Sequence, residues 1–212
     1  MPMSEPRPRR GAPAETRARI VAAAAEAFEA AGYTGTDTNR IARAAGYAPG
    51  TFYKHFEDKR AVFLAVYDEW VAREWADVGE ALSAPGTPSD RAERVVDLVL
   101  AHHRRWATVR ASLRALVAVD EVVRDAYRAS RRRQLAAMAR LTGAAARDRE
   151  ADALLLFTIE RAADALADGE ARALGLRPAE VRSRLVGMVR ARAAPRAPGV
   201  TRAGPERAGR RG

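Results

Sequence analysis

From about Ala14 to residue 193, apolar side chains recur three and four positions apart, and no run of alternating β-branched residues interrupts them. That spacing returns an apolar group to one face of a helix at every turn, whereas a half-buried strand requires a period of two. The chain is therefore expected to be all-α. With 212 residues it exceeds one small module and falls short of two full-sized enzyme domains, so a small domain joined to a medium helical one fits best. Apolar residues make up 48% of the chain and most prolines lie near its ends, so the middle can bury a core.

Local signals divide the chain further. Residues 1–13 and 194–212 are rich in Pro, Arg and Gly and too poor in apolar groups to pack, and both are expected to be disordered. A first helix is expected over 14–31, with Ile20, Ala24 and Phe28 on one face and Gly32 as its stop. Asp37 can cap a short helix over 38–45, and Gly46 ends it. Pro49 can open another to about Phe56, and Asp58 a long one to about Leu82. The run SAPGTPSD at 83–90 is the clearest break, and helices are expected beyond it at 89–105, 106–117, 120–144, 148–169 and 178–193. The domains expected are thus 14–60 and 61–193.

Several chemistries are excluded or disfavoured. There is no cysteine, which removes disulfides, thiolate metal sites and thiol nucleophiles. His102 and His103 are adjacent, about 100° apart on a helix, and cannot face one metal equally. No paired acid and base, activated nucleophile or phosphate-cradling glycine loop is evident, so no catalytic residue, metal or cofactor is expected. The N-terminus lacks an apolar segment of the signal-peptide kind, no long apolar run follows, and a cytoplasmic protein without membrane contact is expected. The net charge of +10 argues only weakly for a polyanion partner, because the excess is +3 in residues 1–60, +3 in 61–193 and +4 in 194–212. A local feature is stronger: within residues 38–56, Arg40, Arg43 and Lys54 stand without an acid.

That segment, TNRIARAAGYAPGTFYKHF, has the anatomy of a helix-turn-helix. Gly46 provides the corner, and Ile41, Ala42, Ala45 and Phe52 provide a small interior. Thr51, Tyr53, Lys54 and His55 leave polar tips on the other side. Residues 17–64, including GYAPGTFYKHFEDKRAVFL, resemble the DNA-binding domain of the TetR family of regulators, with Phe28, Gly32, Tyr33, Ile41, Gly46, Gly50, Tyr53, Phe56 and Lys59 spaced as in that family. The resemblance implies phosphate contacts from Thr38, Thr51, Tyr53, His55 and Lys59. It places Asn39 and Arg40 near base edges, and Gly50 where the helix start comes close to the DNA backbone. Lys54 is the best base-reading candidate, since the recognition helix itself contains no arginine. The arm residues Arg7, Arg9 and Arg10 are read first as a solvated tail and second as a minor-groove contact.

The partners expected are a double-stranded DNA operator, a second copy of the chain and a small-molecule effector. Segment ALLLFTI at 153–159 is apolar around nearly the whole helix, and Val181, Leu185, Met188 and Val189 form a stripe on the last helix. These two helices could build half of an intersubunit four-helix bundle, which the resemblance also implies, with a hairpin buried within one subunit as the alternative, and a charge at Leu155 or Leu185 is expected to weaken the dimer. For the effector, the candidate lining residues are His103, Trp106, Tyr127, Met138, Phe157 and Arg161, large or polar-tipped groups on otherwise apolar faces. The resemblance favours a repressor released by its ligand, and an architectural DNA-binding protein without a ligand is the alternative.

Overall fold

The computed structural model describes residues 12–142 and 148–193. The tail at 194–212 and nearly all of the arm, with Arg7, Arg9 and Arg10, lie outside the described residues. Ten helices and no strand occur among the described residues: α1 (Pro13–Ala31), α2 (Thr38–Ala44), α3 (Pro49–Phe52), α4 (Lys59–Ser83), α5 (Pro88–Arg105), α6 (Ala107–Val119), α7 (Glu121–Thr142), α8 (Arg149–Ala167), α9 (Glu170–Ala173) and α10 (Pro178–Ala193).

The caps explain several of these boundaries. The Asp37 side chain accepts a hydrogen bond from the Arg40 backbone N–H at 2.8 Å, and Asp58 accepts one from Ala61 at 2.7 Å, so α2 and α4 start where donors would otherwise be unsatisfied. Thr87 and Asp90 exchange bonds as a capping box before α5. Gly32 and Gly46, at φ +67° and +81°, turn the chain after α1 and α2 in a backbone region that disfavours side chains. Two elements differ from expectation. Helix α3 ends at Phe52 rather than Phe56, because Lys54 and His55 bond back to Thr51 and Phe52 and tighten the chain into a turn that keeps both Phe52 and Phe56 in the core. Helix α9 is a single turn that starts after Gly169 at φ +85°, and it is too short to show a period.

Two large cores order these helices. The first joins Ile20, Phe28, Ile41, Phe52 and Phe63 to Trp70, Trp106, Val109, Leu113 and Val123. Its centre is Phe28 set edge-on to Phe63 at 5.2 Å. The second core gathers Val78, Val95, Val96, Val99, Ala163, Leu185 and Val189 from α4, α5, α8 and α10, and Met138, Leu155 and Leu156 form a smaller cluster nearby. These cores correct one reading of the sequence. Leu155 and Leu185 are buried within the subunit, whereas Leu154, Phe157 and Met188 are the exposed apolar groups of α8 and α10.

Candidate functional site

The segment from α2 to the start of α4 displays its polar groups on a hydrophobic base. Phe52 and Phe56 are buried with ring centroids 5.7 Å apart, which forces the intervening Tyr53 and Lys54 outward. Tyr53 is 56% exposed, and its hydroxyl shares a 2.9 Å hydrogen bond with Thr38 Oγ1, tying the tip of α3 to the first residue of α2. Asn39, Arg40, Gly50 and Lys54 are exposed, and Thr51 and His55 are half-buried. A Cβ built on Gly50 would meet nothing within 4 Å, so the front of α3 is open. Two basic groups escaped the sequence reading: the Arg17 guanidinium lies over the Phe56 ring at 4.9 Å, and Arg19 over Tyr47 at 5.1 Å. Both lie on α1, upstream of the helix-turn-helix at 38–56, and only the tertiary contact brings them beside it.

Lys59 is more constrained than the sequence implies. Its Nζ donates to the Tyr33 and Thr36 carbonyl oxygens, both at 2.8 Å, and lies 4.2 Å from the Tyr33 ring centroid. The side chain thus bolts the loop between α1 and α2 to the start of α4, which leaves one of its three N–H groups for another partner.

This domain is braced by α6 and its ends. The Tyr33 backbone N–H donates to Ser112 Oγ at 3.0 Å, Arg105 donates to Glu29 at 2.9 Å, and Arg60 donates to Asp120 at 3.2 Å. The far side of α6 is fastened to α8 by Asp164, which accepts from Arg110 at 2.8 Å, from Arg114 at 2.8 Å and from His103 Nδ1 at 3.0 Å. Burial by itself raises the Asp164 carboxyl, but hydrogen bonds from His103 and Arg110 override it and hold the group far below the usual carboxylate range. Burial pushes His103 down, against the pull of Asp164.

Two cavities lie between these helices. The first, of about 130 Å³, is lined mainly by aliphatic side chains such as Val78, Val99, Leu156 and Ile159, with His103, Glu74, Glu160 and Arg192 as polar groups. The second, of about 300 Å³, has Tyr67, Trp70, Tyr127 and Phe157 on its wall together with Arg110, Arg131 and Arg161. The six effector candidates are consequently divided. His103 and Met138 reach the first cavity; Tyr127, Phe157 and Arg161 reach the second; Trp106 reaches neither, because its ring stacks on Trp70 at 5.7 Å inside the core. Glu74 and Glu160 border both cavities and were not singled out from the sequence, although Glu74 interrupts the apolar stripe of α4. Among the described residues no three His, Asp or Glu side chains gather as metal ligands, and no helix is long and apolar enough to cross a membrane.

Residues 20–66 match the family described as bacterial regulatory proteins, tetR family. No curated protein matches the chain. Among solved structures, a TetR-family transcriptional regulator from Rhodococcus sp. is similar at 21% identity and TM-score 0.67, over 85% of this chain and 100% of the other. One from Mesorhizobium loti is similar at 19% identity and TM-score 0.67, over 86% and 96%. A transcriptional regulator from Saccharomonospora viridis, in complex with choline, is similar at 20% identity and TM-score 0.65, over 83% and 96%.

Proposed function

We propose, from the match of residues 20–66 to the tetR family and from a fold of the described residues like that of TetR-family transcription regulators, a cytoplasmic, non-enzymatic repressor that binds an inverted-repeat operator as a homodimer and is released by a small molecule. The observation that carries the reading is the exposed ridge of Tyr53, Lys54 and Gly50, pinned to Thr38 and backed by Phe52 and Phe56. Tyr53, Thr38, Thr51 and His55 would position the domain on phosphates, with Lys54, Asn39 and Arg40 at base edges. Arg17 and Arg19 add positive charge beside this segment, over Phe56 and Tyr47. One short recognition helix makes few contacts, so two copies on a symmetric site supply the specificity. Selection from a random duplex library should return an inverted repeat. Tight binding of a monomer to one asymmetric half-site would overturn this, and binding without sequence preference would favour the architectural reading.

Lys59→Ala and Lys54→Ala should behave differently. Loss of Lys59 removes two hydrogen bonds from a charged donor, so the unfolding free energy should fall by about 1.5–3 kcal/mol. If its third N–H meets a phosphate, the slope of log affinity against log salt also falls by about 0.9. Lys54→Ala should instead relax base preference at one position per half-site. An unchanged selected motif for that variant would remove Lys54 from base reading.

The exposed apolar groups Leu154 and Phe157 on α8 and Met188 on α10, with Leu174 and Leu176 beside them, support a dimer face on these helices. Leu154→Glu should lower the association constant at least tenfold by sedimentation, since it sets a charge in an apolar interface, and should leave the melting temperature of the monomer nearly unchanged. Leu155→Glu should unfold the chain, because Leu155 is buried within the subunit. An undiminished dimer for Leu154→Glu would refute the placement.

The two cavities support a small-molecule effector, as does the choline held by the Saccharomonospora viridis regulator of similar fold. The ligand would favour one placement of α8, Asp164 would pass it to α6, and α6 would pass it through Ser112 to the loop after α1, with Arg105 at the end of α5 holding Glu29 of α1. That changes the separation of the two reading heads away from the groove repeat of ~34 Å. A coupling of about 1–3 kcal/mol weakens operator binding about 5- to 150-fold. A thermal-shift screen followed by operator assays on every hit tests this, and stabilising ligands that leave operator affinity unchanged would refute the switch.

A further inference from the structure

The charged groups around the two cavities are nearly all committed, with one exception. Arg110 and Arg114 bind Asp164, and Arg131 takes both oxygens of Glu160. Arg161 binds Glu170, and Arg192 binds Asp152 at 2.8 Å. Each of these guanidiniums already contacts a carboxylate, Arg110 and Arg114 sharing Asp164, so an anion entering either cavity would meet no unpaired guanidinium among them. Glu74, on the wall common to both cavities, has no hydrogen bond or ion pair among the described residues. His103 reinforces the asymmetry. Its Nδ1 faces the Asp164 carboxylate, which can only accept, so the ring proton is on Nδ1 and the neutral ring leaves Nε2 as a second acceptor. Trp70 Nε1 is also unpaired on the second cavity, but it is a neutral donor and calls for an acceptor atom without calling for an anion.

Resting on the effector reading above, we propose that the effector is an apolar molecule ending in a protonated amine, with its body in the aliphatic cavity between Val78, Val99, Leu156 and Ile159 and its ammonium group on the Glu74 carboxylate. Bringing a cation to this position gives Glu74 the direct partner it lacks, and a charge-assisted hydrogen bond in a half-buried site is stronger than one between neutral groups. The aliphatic wall supplies affinity by area and Glu74 supplies the choice of head group.

Proton linkage follows. Burial pushes the Glu74 carboxyl up to about 7, with Arg110 pulling it down and Glu160 raising it. Arg131 on α7 pulls it down and Asp77 on α4 raises it, while His103 on α5 and Arg192 on α10 line the same cavity. Below that pH the carboxyl must lose a proton before the ammonium can pair with it. Amine affinity should therefore fall about tenfold per pH unit below about 7 and level off above it.

The test uses the full chain, with n-octylamine, n-octanol and octanoate as probes and isothermal titration calorimetry as the readout at several pH values. Octylamine should bind about 10- to 100-fold more tightly than octanol at pH 8, and octanoate more weakly than either. Glu74→Gln should erase the amine preference and its pH dependence while octanol still binds, and an unchanged circular-dichroism spectrum shows that the variant is folded. Equal or tighter binding of octanoate or octanol, no binding of any probe, or an amine preference that survives in Glu74→Gln would each overturn the proposal. A parallel assay on the selected operator separates the two readings: octylamine that binds with the expected preference but leaves operator affinity unchanged upholds the amine site and refutes the switch.

Discussion

Replacing Asp164 with alanine is expected to lower the unfolding free energy by about 3–5 kcal/mol, because it strands a buried cation instead of merely removing an exposed pair. Arg110 is 13% exposed, its guanidinium lies over Trp70, and two of its nitrogens bind this one carboxylate. His103 is 1% exposed and donates to the same group. For a chain of this size the melting temperature should drop by roughly 6–20 °C, readable by calorimetry. A loss below about 1 kcal/mol would mean that water replaces the carboxylate and that the cluster does not hold α6 to α8.

The pH dependence is best read as the difference between the native chain and Asp164→Asn. A carboxyl whose folded value is depressed contributes stability that is fully present above its unfolded value of 3.8 and is lost as pH falls through the folded one. The difference should thus be constant near neutrality and shrink at acid pH. Glu74 acts in the opposite sense: its raised value favours the fold below the unfolded value of 4.5, and that contribution is lost as pH rises through about 7. It cancels in the difference because both chains carry it.

Replacing Trp106 with alanine should also cost about 3–5 kcal/mol, with no change in octylamine affinity. The ring is 6% exposed at the junction of α5 and α6, stacks on Trp70 and sits in the core it shares with Val109 and Leu113. Deleting it leaves a void that close-packed neighbours fill only in part. Since this core also contains Phe28, Ile41 and Phe63, operator binding should weaken along with stability. A variant of near-native stability whose probe binding is lost would return Trp106 to the effector site.

The helical architecture could be read from local chemistry. Apolar spacing, Asp37 and Asp58 as caps, and glycines that take positive φ each act within a few residues, so α1, α2 and α4 lie close to where the sequence places them. The recognition segment was legible for the same reason, since Phe52 and Phe56 inward imply Tyr53 and Lys54 outward. The run ALLLFTI was not, because a helix apolar on every side carries no signal for which side meets its own subunit. Only packing against α5 and α7 turned Leu155 inward and left Leu154 outside. Trp106, Tyr127 and His103 looked equivalent as large groups on apolar faces, yet tertiary contacts sent them to the core, the second cavity and the first. Asp164 and Glu74 are the clearest case of what only the fold decides. The partners of Asp164 lie 50 to 61 residues away, and the isolation of Glu74 exists only once every neighbouring cation has been paired with another carboxylate. Periodicity and capping are properties of short segments, whereas the pairing or stranding of a charge depends on which distant helices share its cavity.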